Sequence, residues 1–597
     1  MEDTNRPFRT LIYGTLRQQA GLNVGGTDLG DVQPDTCHRD GLQRLTIPGT
    51  SFAGAMIETA TRLFPDLIPA DPRGIPLLER RVTGKQPGTP QAKRRRVRAG
   101  EEFLQSVWRF RNAHPSGKVL TEWRQGVGIR QATGASAGQK RALYDFEVVP
   151  TGTTWSFFLE IDTFRGGVAA EWLAVQALDE WRRGYGWLGR GPARGTGWFC
   201  LESPELVRIP LTSRALRAWP HNQLSTHDNA EGATNDKSPA RSLPRLLAAG
   251  ARPVDWAAAA LAARQATSGW QRGAWHYLSI TVTLGPDPSG ATEPDHYGLD
   301  VLQVGGHPAL ELHDSSAGML QPLSVQNYGW RGAQYQRPDS PLVTTRPADA
   351  SGFQPFLPGS GIRGPLRHTV SRLANAKQRV RDPNWKDDPL VKELATCVDL
   401  RKHELRKSKR PAFVPDAEVR HLVERELGDR VTALFGAEEV CGRILVRDAE
   451  LVGSNFTVVR AEHHAEDEFT AGVYGGAKFN RDVLVAGRMR FQIVLEAPTR
   501  EALGSMVRLL GPAFELARLG FLPIGGGKWR GAGWLPWTLE SIELSRAGED
   551  KPIGQDTEAT KPFPDRVQRW FPEISGAADP AAGIPAAVGA APEGASR

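Results

Sequence analysis

The chain is an α+β protein in which one domain is built twice, and three features of its sequence carry that reading. A pair of glycine motifs recurs in the same order in each half, the halves share one succession of strand-like and helix-like patterns, and a polar stretch separates them. The first motif is Ile47-Pro48-Gly49-Thr50-Ser51 in one half and Leu357-Pro358-Gly359-Ser360-Gly361 in the other. The second is the turn Gly189–Gly197, which carries Arg190 and Arg194, matched by Gly525–Gly533, which carries Lys528 and Arg530.

The elements follow from periodicity. Phe52, Met56, Ala60 and Leu63 recur at helical spacing after the first motif, as do Ile362, Leu366, Val370 and Leu373 after its counterpart. Arg363, Arg367 and Arg372 fall on other faces of that second helix. Trp155, Phe157, Leu159 and Ile161 alternate with Ser156, Phe158 and Glu160, which is the period of a strand, and Met489, Phe491, Ile493 and Leu495 do the same. The second half opens on another alternation, Leu278, Ile280, Val282 and Leu284 against Ser279, Thr281 and Thr283, which predicts a half-buried strand. Helical patterns over 169–183 and 500–519 lead into the two glycine-rich turns. Strand, helix, strands, helix, strand is the order of a ferredoxin-like (RRM-like) domain.

These patterns divide the chain into a first domain at 1–216, a linker at 217–272 with a short helix near 254–266, a second domain at 273–545, and a disordered tail at 546–597. The linker has little to bury between Ser225 and Ser238, and the tail turns to Pro, Ala and Gly. The spacing from Gly49 to Gly195 is 146 residues and from Gly359 to Gly531 is 172, so the second domain carries an insertion, placed in the charged, helical stretch 382–429.

Composition narrows the function. Hydrophobic residues make up 40% and charged residues 24%, ordinary for a globular protein, and the net charge of +7 is mild for 597 residues. A nucleic-acid partner therefore has to come from local clusters such as Lys93–Arg98 and Arg401–Arg410. Four scattered cysteines form no disulfide framework, and no apolar run suggests a signal peptide or a membrane span, so the expected compartment is the cytoplasm with no membrane partner. Cys37-His38, and Cys397 with His403, lack the four ligands of a zinc site, so zinc is not expected.

A Pro-Gly-Ser/Thr helix start offers backbone N–H groups and a hydroxyl to an anion, and glycines in a basic turn let phosphates approach the backbone. This makes Gly49, Thr50, Ser51, Arg190 and Arg194 candidate polyanion ligands in the first half. Gly359, Ser360, Arg363, Arg367, Lys528 and Arg530 are the candidates in the second. Each helix start is expected beside the glycine-rich turn of its own half.

At these motifs the chain resembles the RAMP superfamily, the backbone subunits of CRISPR effector complexes, type III in particular. The second half carries the family's Asp-x-Pro pattern as Asp339-Ser340-Pro341 ahead of Leu357-Pro358-Gly359-Ser360. The stretch Asp467–Gly472 with Lys478 and Phe479 is similar to the family's thumb hairpin, and Ile129–Gly134 with Ala142–Tyr144 is its counterpart in the first half. The resemblance implies a guide RNA, a paired target RNA and other effector subunits as partners, with Lys478 among the RNA-binding residues. It also implies that Asp339, with a divalent cation such as Mg2+ or Mn2+, supports attack of a ribose 2′-OH on the adjacent phosphodiester, making the chain a metal-dependent endoribonuclease. In the first half Asp35 is the candidate catalytic and metal-binding residue, with Asp28 and Asp31 nearby, although that half lacks Asp-x-Pro. The rival readings are a guide-RNA scaffold that cleaves nothing, a repeat-RNA processing endoribonuclease to which His463-His464 would lend a base, and an RNA-binding module outside CRISPR.

Overall fold

A computed structural model describes residues 7–25, 36–65, 80–81, 103–104, 106–127, 143–210, 250–285, 298–302, 344–345, 347–348, 354–377, 430–436, 442–453, 457–466, 473–528 and 531–572. In the first block the strands are β1 (Pro7–Gln18), β2 (Trp108–Phe110), β3 (Glu122–Val127), β4 (Leu143–Val148), β5 (Thr154–Ile161), β6 (Gly186–Trp187), β7 (Trp198–Pro210) and β8 (Arg252–Val254). The helices are α1 (Gly49–Leu63), α2 (Thr163–Arg182) and α3 (Trp256–Ala266). The sheet runs β8-β7-β1-β5-β2 with every neighbouring pair antiparallel, and β6 pairs with β7. Four of its members, β7-β1-β5-β2, stand in the 4-1-3-2 order that two βαβ-type crossovers produce in a ferredoxin-like sheet.

The second block repeats the plan with β9 (His276–Leu284), β10 (Gln354–Leu357), β11 (Ile444–Val446), β12 (Ala449–Leu451), β13 (Thr457–Glu466), β14 (Val473–Ala486), β15 (Met489–Ala497), β16 (Trp537–Arg546) and β17 (Gly554–Asp556). Its helices are α4 (Gly359–Lys377), α5 (Arg430–Phe435), α6 (Arg500–Arg518) and α7 (Phe563–Val567). The central strand β9 lies between β15 and β16, as β1 lies between β5 and β7. Hairpins β3–β4 and β13–β14 flank the two segments read as thumbs.

The apolar positions singled out in the sequence build the cores. Phe52 and Met56 of α1 and Trp155, Phe157, Leu159 and Ile161 of β5 are buried together. Phe52 meets Phe157 edge to face at 5.6 Å, and Trp181 of α2 donates its indole N–H to Thr59 at 3.0 Å, which fixes the spacing of the two helices. Ile362, Leu366 and Val370 of α4 pack with α6 and β9 in the second core.

Three expectations need correcting. The polar face of β9 is not exposed: Ser279 and Thr283 are buried. Their hydroxyls are satisfied by Gln492, which donates to Ser279, and by Glu540, which accepts from Thr283. Part of the stretch read as a linker belongs to the first block, since β8 extends its sheet and α3 packs on α2, where Gln176 donates to Thr267 at 2.9 Å. Part of the stretch read as a tail is folded as well. Phe563, Val567, Trp570 and Phe571 are buried in the second core, and the side chain of Arg566, fully enclosed, pairs with Asp556 at 2.6 Å. The stretch 382–429 read as the insertion lies outside the described residues.

The two blocks share a continuous apolar joint. Tyr277, Leu445, Val494 and Ala547 of the second block join the first block's core, and Tyr185 stacks on Tyr277 with centroids 4.1 Å apart. Arg62 sits between the rings of Trp187 and Trp275 at 4.9 and 5.4 Å and pairs with Glu496 at 3.2 Å.

Candidate nucleic-acid interface

The two helix starts have one design. Gly49 donates its N–H to Asn112 at 2.9 Å, and Gly359 donates its N–H to Asp448 at 2.8 Å. A Cβ on Gly49 would lie 2.5 Å from the carbonyl oxygen of Phe110, and one on Gly359 would lie 2.3 Å from that of Val446. Only glycine lets the helix come so close to the strand. Phe110 and Asn112 stand 336 residues before Val446 and Asp448, whereas the helix starts stand 310 apart, so the 26 extra residues of the second block lie between Gly359 and Val446. The motifs alone suggest that these first N–H groups are open to a phosphate. They are not: a side chain caps each one. What the starts expose are the side chains of Thr50 and Ser360, with Ser51 half-buried.

The turns repeat more closely still. Gly184, Gly189, Gly191, Gly195 and Gly197 all have positive φ, and so do Gly520, Gly525, Gly527, Gly531 and Gly533, each 336 residues later. Trp198 donates its indole N–H to the carbonyl of Pro192, and Trp534 donates likewise to that of Lys528, again 336 residues on. In the first block the turn includes a short 3-10 segment, Pro192–Arg194, and leaves Arg190 and Arg194 exposed.

Where the first turn packs differs from expectation. It lies against the helix start of the other block: a Cβ on Gly359 would be 3.0 Å from the carbonyl oxygen of Arg194 and 2.8 Å from Cα of Gly195. The neighbours of Gly49 are instead atoms of Phe110. The joint between blocks therefore brings Arg194 to α4.

Around α4 the charges are of one sign. Burial, then the neighbouring cations Arg367 and Arg194, push the guanidinium of Arg363 down to about 10. Its Nη2 donates to the carbonyl of Phe435, the ring of which it also overlies at 5.5 Å, and its buried Nε has no partner among the described residues. His368, one residue past Arg367, is held below its usual value by burial, then by Arg372 and Lys528. Burial also lowers Lys528. Cations from both blocks thus crowd one helix, and they bear on Arg363 and His368. Such a cluster gains when a polyanion supplies the missing negative charge.

Not every predicted residue can be placed. Asp339, Asp35, Asp28, Asp31 and Arg530 lie outside the described residues, as do the basic runs 93–98 and 401–410. Lys478 falls on β14, paired across the hairpin with His464. Arg372, which the spacing already sets on a face of α4, and His368, Asp448 and Arg124 are not among the candidate ligands. The first two sit on the charged flank of a helix already recognised. Asp448 has a signal only once Asn112 is known to be its counterpart. Among the described residues no helix is long and apolar enough to cross a membrane.

A comparison with curated proteins gave no match. The family model for the RAMP superfamily matches residues 24–200 and 304–535, one region in each block and more than half of the chain in all. The five-glycine turns, the capped Pro-Gly helix starts and this double match agree: the chain belongs to the RAMP superfamily and carries its domain twice in tandem.

Proposed function

We propose that the chain is a backbone subunit of a type III-like CRISPR effector that holds guide RNA along α4 and cleaves a paired target RNA. Family membership supports a CRISPR-associated RNA-binding subunit. The observation that carries the reading is Arg363, driven down to about 10 by burial and by two cations, Arg367 and Arg194, one of them from the other block. RNA phosphates would relieve that repulsion, and binding dominated by phosphates depends steeply on salt. Cleavage rests on Asp339 and, in the first block, Asp35. A divalent cation, if held there, would be held by these carboxylates and would stabilise charge on the phosphodiester. A carboxylate is also able to accept the proton of the 2′-OH, the nucleophile that only RNA provides.

The test has two arms. Arg363→Gln with Lys528→Gln should weaken binding of single-stranded RNA and lower the slope of log affinity against log salt by about 0.7 for each phosphate no longer neutralised. An unchanged slope refutes the site. Asp339→Ala should leave binding intact and slow one cut of a guide-paired target by about 100-fold or more, with Asp35→Ala acting on a second cut. Binding without any cut, in the wild type and with Mg2+ or Mn2+ present, would make the chain a scaffold.

A further inference from the structure

Asp448 is 2% exposed and stands where three parts of the molecule meet. Its Oδ1 accepts the N–H of Gly359 at 2.8 Å, its Oδ2 accepts from Nη1 of Arg124 at 2.6 Å, and Gly195 packs against it so closely that a Cβ there would come within 2.0 Å. Arg124 belongs to β3, one strand of the first block's hairpin, and is itself buried over the ring of Phe356 at 4.6 Å. Two residues earlier on the same strand, Glu122 is 2% exposed and accepts from the hydroxyl of Thr345 at 3.0 Å on each oxygen. Thr345 lies six residues after Asp339 in the sequence. The first block's hairpin strand is thus bonded both to the start of α4 and to the segment that leads into it.

The counterpart in the first block shows what is added. Asn112 caps Gly49 as Asp448 caps Gly359, and an amide suffices for that. A carboxylate at 448 is needed only for Arg124. Buried ion pairs return little net stability, so one placed across a joint is better explained by what it holds in register.

We propose that Glu122, Arg124 and Asp448 are positioning residues of the second block's RNA site, so that α4 with its bound RNA and the first block's hairpin strand β3 act as one unit. The inference rests on the reading of α4 as an RNA site. It makes that site a product of both blocks: the second block's cut depends on side chains of the first that touch no RNA phosphate.

The discriminating variant is Arg124→Met with Asp448→Asn in the full chain. The amide introduced by Asp448→Asn keeps the cap on Gly359 in the form the first block uses, and the methionine side chain fills the buried space without a charge. Hydrogen exchange of 120–127 and of 354–366 is followed with and without single-stranded RNA. In the wild type RNA slows exchange in both segments. In the double variant protection at 354–366 remains, protection at 120–127 is lost, and the Asp339-dependent cut slows by about tenfold, a usual size for coupling between sites. Thr345→Val, which removes the donor to Glu122 and leaves the helix cap untouched, should reduce protection at 120–127 in the same direction. It supplies the answer should the double variant fail to fold. RNA protection of both segments persisting in either variant overturns the coupling and leaves the RNA site standing. Absence of protection at 354–366 in the wild type removes the RNA site and the coupling together.

Discussion

Replacing Gly195 by alanine perturbs the joint at a single atom, and Gly531 provides the control inside the same molecule. The two glycines are counterparts in the repeated turn, with φ of +102° and +82°. Alanine at either carries the strain of a left-handed residue, about 1–2 kcal/mol. At Gly531 that is all, since a Cβ there meets nothing within 4 Å among the described residues. At Gly195 the Cβ would lie 2.0 Å from the carboxylate of Asp448 and 2.9 Å from the N–H of Gly359. The carboxylate has to move, and Arg124 is left buried without its partner, which costs about 3–5 kcal/mol. Gly195→Ala should therefore destabilise the chain by about 3–5 kcal/mol more than Gly531→Ala does. Urea unfolding followed by tryptophan fluorescence reads this, because Trp187 and Trp275 both lie in the joint. If the two variants unfold within about 1 kcal/mol of each other, the first turn is not wedged against α4 and the reasoning fails.

Two further outcomes follow from side chains already described. Burial, Arg372 and Lys528 hold His368 below its ordinary value in the free protein, so bound RNA should raise it and binding should take up a proton. Affinity then rises as pH falls through the bound-state value towards the lowered free-state one, by at most about tenfold per pH unit, and His368→Gln should flatten the profile. Fluorescence titrations between pH 5 and 8 (about the window of an imidazole) measure this. A chain ending at Arg546 loses Phe563, Val567, Trp570 and Phe571 from the second core, at about 1.5–3 kcal/mol each, and should melt far below a chain ending at Pro572. Equal melting temperatures would show that the C-terminal segment contributes nothing to the core.

The helices and central strands were legible because each buries one face, and a buried face leaves a period in the sequence. Ile362, Leu366 and Val370 announced α4, and Trp155 to Ile161 announced β5. The glycine turns were legible because positive φ leaves little choice of residue. What was not legible is which turn meets which helix. Nothing local distinguishes a turn that packs within its own block from one that reaches the next. The decisive atoms, the carbonyl of Arg194 and the carboxylate of Asp448, belong to residues far apart in the chain. The C-terminal segment reads as a tail for a different reason: Phe563, Val567, Trp570 and Phe571 do recur at helical spacing, but over barely two turns and among Pro, Gly and acidic residues that mask so short a period.

The joint pairs unlike surfaces, the glycine-rich turn of one block with the helix start of the other, and this gives the molecule a direction. The helix start of Gly49 is closed by Asn112 and Phe110 of its own block. The second turn leaves Leu519, Phe521 and Trp534 exposed by 56%, 61% and 39%, and among the described residues nothing lies within 4 Å of a Cβ built on Gly531. In the first turn the position of Phe521 is taken by Tyr185, which is covered by Tyr277. That helix start and that turn are not interchangeable, as the ends of an arrow are not. An RNA laid across both blocks would therefore be read in one polarity, set by the protein and not by the base sequence.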